Sequence, residues 1–356
     1  MTFDLSSLGW DDGFASAYAR YDRPDHQPVR VTRVDRGICT VLGASGSLRG
    51  TLSGALLHAA AGDPAEQPCA GDWVVLRTWA DDRTTIEARL PRRTAIIRRT
   101  SDKASIGQVL AANLDTAAVV EPMHPSPDLG RIERLLTLAW ESGGTPLVVL
   151  TKADLAADPV DVAEQVSESA PGAEVIAVSA ERGDGLDRLA PLVAHGRTLA
   201  LLGPSGAGKS TLVNALAGTS VMITQGIRRA DGKGRHTTTY RALVPIPGGG
   251  AVLDTPGIRG VGLLDAETGL DQAFADVVAL AAVCRFNDCQ HNGEPGCAVR
   301  AALESGDLAP RRFESWCRLQ REIAFEMRRR DARLAAEERN RWKRIHKSMR
   351  SRPARP

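Results

Sequence analysis

Leu199-Ala200-Leu201-Leu202-Gly203-Pro204-Ser205-Gly206-Ala207-Gly208-Lys209-Ser210-Thr211-Leu212 decides the fold: a short apolar strand enters a glycine-rich turn and leaves it as a helix. The turn matches G-x-x-x-x-G-K-[ST], the phosphate-binding P-loop. Gly203, Gly206 and Gly208 permit positive φ angles and close backbone approach, so successive N–H groups can converge on phosphate oxygens. A helix over about Ser210 to Leu216 adds its unpaired N-terminal N–H groups and the positive end of its dipole. In such a loop Lys209 reaches the β and γ phosphates and the Ser210 hydroxyl holds Mg²⁺, while Pro204, Ser205, Ala207 and Thr211 complete the lining. An ordinary β-to-α turn needs neither Lys nor Ser after its last glycine, so nucleotide binding is the expectation.

Upstream of this turn, buried-type strands alternate with amphipathic helices. Strands are expected at Thr116 to Glu121, Pro146 to Leu150 and Glu174 to Val178, and helices at Arg131 to Ser142, Val160 to Ser169 and Gly185 to Leu192. That alternation predicts a mostly parallel sheet covered on both faces. Thr151-Lys152-Ala153-Asp154 follows one strand and Ser179-Ala180 another, at the carboxyl ends where open α/β sheets bind ligands. The Asp154 carboxylate can accept from both N1–H and the exocyclic amine of guanine, Lys152 can cover the base face, and the Ala180 N–H can donate to O6. Adenine would leave that carboxylate unpaired, which favours GTP over ATP.

Downstream, Ala251 to Leu253 is a strand ending in Asp254-Thr255-Pro256-Gly257. Asp254 sits where a carboxylate holds Mg²⁺ through water, and the Gly257 N–H where a γ-phosphate is sensed. Between P-loop and Asp254, Gly226 to Tyr240 has the polar, glycine-rich composition of a switch loop, in which Thr238 is the expected Mg²⁺ ligand.

On the N-terminal side, residues 1–28 are Asp-, Gly- and Pro-rich with scattered Leu8, Trp10, Phe14, Tyr18 and Tyr21, and a flexible arm is expected, with docking of some of these aromatics on a neighbouring domain as the alternative. Residues 29–104 contain five or six short β-like runs, from Val29 to Val34 through Ala95 to Ile97, with no long helix. This reads as a small barrel of OB type, with an SH3-like docking barrel as the alternative. Residues 105–268 then form the nucleotide domain.

On the C-terminal side, Cys284-x4-Cys289-x-His291-x5-Cys297 offers three thiolates and one imidazole, the closed donor set of one structural Zn²⁺. Cys39, Cys69 and Cys317 lie apart from it and read as packed or surface thiols. Residues 269–345 are assigned to this zinc-binding, basic helical module and 346–356 to a basic tail. From Arg311 to Pro356 the chain carries a net +10, whereas residues 1–310 carry −8, so a basic module rides on an acidic body and points to a polyanionic partner. No apolar run approaches the ~20 residues that span a bilayer. A cytoplasmic protein without membrane association, and monomeric, is expected.

The motif order T-K-A-D, S-A, G-P-S-G-A-G-K-S-T, G-R-H-T-T-T, D-T-P-G is the guanine-nucleotide set with its base-reading motifs moved ahead of the P-loop. Over about residues 29–340 the chain resembles the circularly permuted GTPases, in particular the small ribosomal subunit-dependent (RsgA-type) family. The resemblance implies a multidomain protein: an N-terminal OB-like β-barrel, an α/β P-loop GTPase domain with circularly permuted motif order, and a C-terminal zinc-binding helical module. It implies binding to the small (30S) ribosomal subunit and its rRNA in late maturation, with GTP hydrolysed to GDP in a subunit-stimulated way. Ile258 stands where many GTPases carry the glutamine that orients water, so His236 in the switch loop is the catalytic candidate beside Lys209 and Thr238. Two rivals stand beside this reading: an ATP-driven transporter subunit, for which no L-S-G-G-Q-like signature follows the P-loop, and a nucleotide-gated RNA-binding module in which hydrolysis is incidental.

Overall fold

The computed structural model describes residues 4–35, 37–99, 107–222, 242–255, 262–263 and 265–330. His236, Thr238, Gly257, Ile258 and the basic run from residue 331 onward lie outside the described residues.

The N-terminal segment departs from the flexible arm expected of its composition. Asp11 caps helix α1 (Asp12–Tyr18) by accepting from the Gly13 and Phe14 N–H groups. Leu8, Phe14 and Tyr18 are buried, and with Trp10 and Tyr21 they cover Leu42, Trp73, Val75 and Leu90 on the outside of the following barrel. The Trp10 and Trp73 ring centroids lie 4.8 Å apart, edge to face. The large residues are sparse, but in a helix Phe14 and Tyr18 share one face, and the barrel presents a matching apolar patch.

The barrel consists of β1 (His26–Asp35), β2 (Ile38–Gly43), β3 (Gly46–Leu52), β4 (Trp73–Thr78) and β5 (Thr84–Arg89). Strand order β1-β2-β3-β5-β4 closes through a β1–β4 pairing around Val29, Val31, Cys39, Val41, Val74, Leu76 and Ile86. This is the five-stranded OB-like barrel. A nine-residue helix, α2 (Gly54–Gly62), with Ser53 as its N-cap, fills the β3-to-β4 connection where no long helix was expected. Ala95–Arg99 (β6), counted among the barrel runs in the sequence, instead pairs with β7 (Gly107–Ala112) in a separate two-stranded sheet.

The P-loop half contains β8 (Thr116–Pro122), α3 (Leu129–Glu141), β9 (Thr145–Thr151), α4 (Pro159–Glu168), β10 (Glu174–Val178), α5 (Leu186–Leu189), β11 (Thr198–Leu202), α6 (Lys209–Ala217), β12 (Ala242–Pro245) and β13 (Ala251–Asp254). The order β10-β9-β8-β11-β13 is parallel throughout, and antiparallel β12 links the sheet to barrel strand β1 at Ala242 and Arg33. One face packs α6 through Leu212 and Val213. The other packs α3 through Ile132, Leu135 and Leu136, and that core runs on into the C-terminal module.

This module comprises α7 (Glu267–Ala273), α8 (Ala275–Ala282), α9 (Ala298–Ser305) and α10 (Pro310–Arg330). Trp316, Leu319 and Ile323 of α10 belong to the same buried cluster as Leu135 and Val148. Ion pairs fix the dock: Glu133 on α3, fully buried, accepts from Arg311 and Arg312 at 2.8–3.0 Å, and Arg312 also grips Asp276. No helix among the described residues is long and apolar enough to cross a membrane.

Arg30, on β1, ties three parts of the chain together. Its buried guanidinium donates to the carbonyls of Leu8 in the N-terminal segment, Gly71 in the barrel and Asn113 before β8, and to Thr198 Oγ1 on β11. Burial pulls its pKa down to about 10, which leaves it charged at neutral pH. Arg30→Met strands at least two buried carbonyls at ~1–3 kcal/mol each, so a loss of ~3 kcal/mol or more is expected. Urea unfolding followed by tryptophan fluorescence measures it; a variant as stable as wild type would show that Arg30 does not hold these parts together.

Candidate functional site

Parallel strands deliver the motif loops to one edge of the sheet. Leu199 to Leu202 of β11 pair with Thr116 to Val119 of β8 on one side, and Thr198 to Leu201 pair with Ala251 to Asp254 of β13 on the other. The P-loop therefore leaves between the ends of β8 and β13. Gly206 and Gly208 take φ +84° and +87°, as the turn requires. Gly203 does not; it is glycine because a Cβ there would stand 2.2 Å from the Val120 carbonyl oxygen. Close packing of the loop against β8, rather than backbone handedness, explains that position.

Gly208 is the N-cap of α6, and the first helical bond runs from the Leu212 N–H to the Gly208 carbonyl, which leaves the N–H groups of Lys209, Ser210 and Thr211 at an unpaired helix start. Lys209 is buried, and its Nζ donates to the Gly203 and Pro204 carbonyls at 2.8 and 2.9 Å, arched over the loop it would share with a phosphate. Burial pulls its pKa down, with Asp254 opposing. Asp254 is 2% exposed, and burial pushes it up to about 6 against the pull of Lys209. Its Oδ1 is buried without a hydrogen-bond partner, an acceptor suited to a water of a hydrated cation.

Thr151 is buried, and its hydroxyl donates to the Ala207 carbonyl at 2.6 Å, fastening the T-K-A-D turn to the P-loop. Lys152 follows in the left-handed region at φ 59°, which turns the chain so that Ala153 and Asp154 enter a short 3₁₀ turn. Ser179 Oγ donates to Asp154 Oδ1 at 2.7 Å and accepts from the Arg182 N–H, so the aspartate is aimed by the S-A loop that carries Ala180. All described members of the nucleotide set thus meet at one edge: Thr151, Lys152, Ala153, Asp154, Ser179, Ala180, the 203–211 loop and Asp254.

Two polar side chains that the sequence reading passed over also shape this edge. Thr255 donates to the Leu201 carbonyl at 2.6 Å and anchors the start of the D-T-P-G loop to the P-loop strand. Asn214, on α6, accepts from the Val221 and Met222 N–H groups and donates to the Met222 carbonyl, fixing the chain as it leaves toward the switch loop. The available signals were the second letter of D-T-P-G and a lone amide on a largely apolar helix.

In the C-terminal module, Cys284, Cys289, His291 and Cys297 bring one ligand atom each within 4.8 Å of one another. Cys284 Sγ lies 3.9 Å from Cys297 Sγ and 3.7 Å from His291 Nδ1, and Cys297 Sγ lies 3.4 Å from His291 Nδ1. Such separations suit four donors around one ion. Cys297 also caps α9, accepting from the Arg300 N–H, while the His291 ring packs 5.9 and 6.1 Å from the rings of Trp316 and Phe313 on α10. A metal there would fasten the loop to the docked helix.

Comparison with known proteins identifies a family for the chain. The RsgA GTPase family model matches residues 89–264. A protein of Streptomyces coelicolor named small ribosomal subunit biogenesis GTPase RsgA is 53% identical over 343 residues, covering 96% of this chain and 92% of that protein. Among solved structures, YjeQ from Thermotoga maritima aligns with a TM-score of 0.59 at 25% identity, covering 84% of this chain and 98% of that one. YloQ, described as a circularly permuted GTPase, aligns at 0.53 and 22% identity, over 84% and 95%, and supports the fold.

Base choice should rest on Asp154. Asp154→Asn is expected to weaken GTP binding more than about tenfold and to improve xanthosine triphosphate relative to GTP, since the new amide can donate to the xanthine O2. Fluorescence competition between the nucleotides decides it; an unchanged preference for GTP would remove Asp154 from the base-reading role.

Proposed function

The chain belongs to the RsgA GTPase family, a GTPase of small ribosomal subunit biogenesis, and from that membership we propose how its own residues bind GTP, time its hydrolysis and engage the subunit. The reading is carried by the Thr151–Ala207 hydrogen bond, which makes the T-K-A-D loop and the P-loop one rigid unit, so that a nucleotide gripped at its base is placed at its phosphates. Asp154, aimed by Ser179, reads guanine; Lys152 covers the base; Ala180 donates to O6. The N–H groups of the 203–211 loop and Lys209 hold the β and γ phosphates.

Ser210 and Thr238 would ligate Mg²⁺ directly and Asp254 through water, and the ion would neutralise charge on the β and γ oxygens. Gly257 senses the γ-phosphate. Because Ile258 has no group to orient water, His236 takes that role once the switch loop closes on the subunit. The Cys284, Cys289, His291 and Cys297 set holds one structural Zn²⁺, and the basic residues beyond it contact rRNA phosphates. The protein acts in the cytoplasm as a monomer, binding the subunit with GTP and leaving with GDP.

For the zinc, metal analysis should find about one ion per chain, and Cys289→Ser should lower the unfolding midpoint of the C-terminal module while leaving GTP affinity nearly intact. Metal-free protein with an intact C-terminal module would refute the site. For hydrolysis, His236→Ala should abolish most subunit-stimulated turnover with little change in GTP affinity, whereas Lys209→Ala should damage both. Single-turnover assays with saturating 30S subunits provide the test; wild-type rates in His236→Ala would transfer water placement to rRNA or another switch residue.

A further inference from the structure

Glu322 lies in the middle of α10, far in sequence from every nucleotide motif, yet it touches the segment that leaves the D-T-P-G loop. Its two carboxylate oxygens accept from the Arg134 guanidinium at 2.7 and 2.6 Å, and Oε1 also accepts from the backbone N–H of Leu263 at 3.4 Å. The Leu263 side chain is fully buried in the core shared by α3, α7 and α10. Leu263 is nine residues beyond Asp254, so the chain that carries the γ-phosphate-sensing motif is pinned at one end by β13 and at the other by this contact.

Arg134 and Glu322 both sit on helices packed into the buried core. Arg134 sits on α3, the helix that follows β8, against which the P-loop strand pairs. About 15 Å along α10, at ~1.5 Å per residue, Arg312 is locked by Glu133, Asp276 and the carbonyls of Ala273 and Ser169. Arg134 holds the Glu322 carboxyl below its usual range, against the opposing effect of burial. An ionised carboxylate between a guanidinium and a backbone N–H fixes both directions at once.

We propose that Glu322 is a positioning residue for GTP hydrolysis: held by Arg134, it sets the exit of the D-T-P-G segment through the Leu263 N–H, so the docked C-terminal helix acts on the γ-phosphate side of the site. The inference rests on the GTPase reading above. It makes α10 part of the switch rather than only a mount for the metal loop, and it gives movement of α10 on the ribosomal subunit a physical route to the phosphate.

The test compares wild type, Glu322→Ala and the isosteric Glu322→Gln in single-turnover GTP hydrolysis with saturating 30S subunits, alongside GTP and GDP affinities by fluorescence titration. Glu322→Ala should slow hydrolysis about tenfold, and Glu322→Gln, which keeps the shape but loses the charge facing Arg134, about threefold, with both affinities within about twofold of wild type. Should Glu322→Ala fail to fold, Glu322→Gln decides alone. Wild-type rates in the folded variants would overturn the proposal, as would a fall in affinity that matches the fall in rate, since that pattern marks a merely structural residue. A wild-type protein without subunit-stimulated hydrolysis would instead strike at the underlying reading.

Discussion

Everything at the nucleotide edge depends on β11 lying in parallel between β8 and β13. Parallel pairing puts all the strand ends on one side, and Gly203 packs so closely on the Val120 carbonyl that a side chain there would collide with it. Chain order therefore has little influence on the site. The T-K-A-D and S-A loops come before the P-loop in sequence, but β9 still stands beside β8 and β10 beside β9, and Thr151 reaches across to Ala207. A loop recognises its ligand from where its strand ends, and the hydrogen bonds that fix a parallel sheet do not depend on which connection was made first.

What the permuted order does change is the neighbour of the D-T-P-G segment. In this chain it runs on directly into α7 and α8 and the Cys/His cluster, whose helices share one buried core with α3. The fully buried Glu133 would be costly alone; two arginines from α10 make it tolerable and at the same time specify how that helix must lie. Leucines in these positions would give a more stable dock and a less specific one. A helix held by directional charges is better suited to transmit a displacement than one held by a greasy face, because its alternatives are few and discrete.

The motif strings were legible in the sequence and the packing of the N-terminal region was not, for a common physical reason. Motifs such as G-P-S-G-A-G-K-S-T and the Cys/His spacing encode short-range geometry, so their meaning is contained in a few adjacent residues. The fate of Leu8, Trp10, Phe14 and Tyr18 depended on Leu42, Trp73, Val75 and Leu90, residues up to about eighty positions away that expose apolar side chains on the outer face of a barrel. Composition alone reads such a segment as loose. The same limit hid the pairing of β6 with β7 and the reason for Gly203, each fixed by a partner strand rather than by local pattern. Thr151 was legible as a motif letter, but its hydrogen bond to the P-loop was not.

Lys209 and Asp254 show where stability yields to function. Each is pushed by burial toward its neutral form, and their attraction for one another does not fully compensate, as the raised pKa of Asp254 and the lowered one of Lys209 attest. A leucine and a valine would fill the same space without that cost. The charges suit a ligand that is itself charged: a polyphosphate would supply the anion that Lys209 lacks in its two carbonyl partners, and a hydrated cation would supply the donor that Asp254 Oδ1 lacks. Ligand binding here would add stability to the fold by linkage, growing with the logarithm of how far the nucleotide exceeds its dissociation constant. A nucleotide held there would strengthen the β11–β13 edge, and loss of its γ-phosphate would remove part of that support beside Asp254.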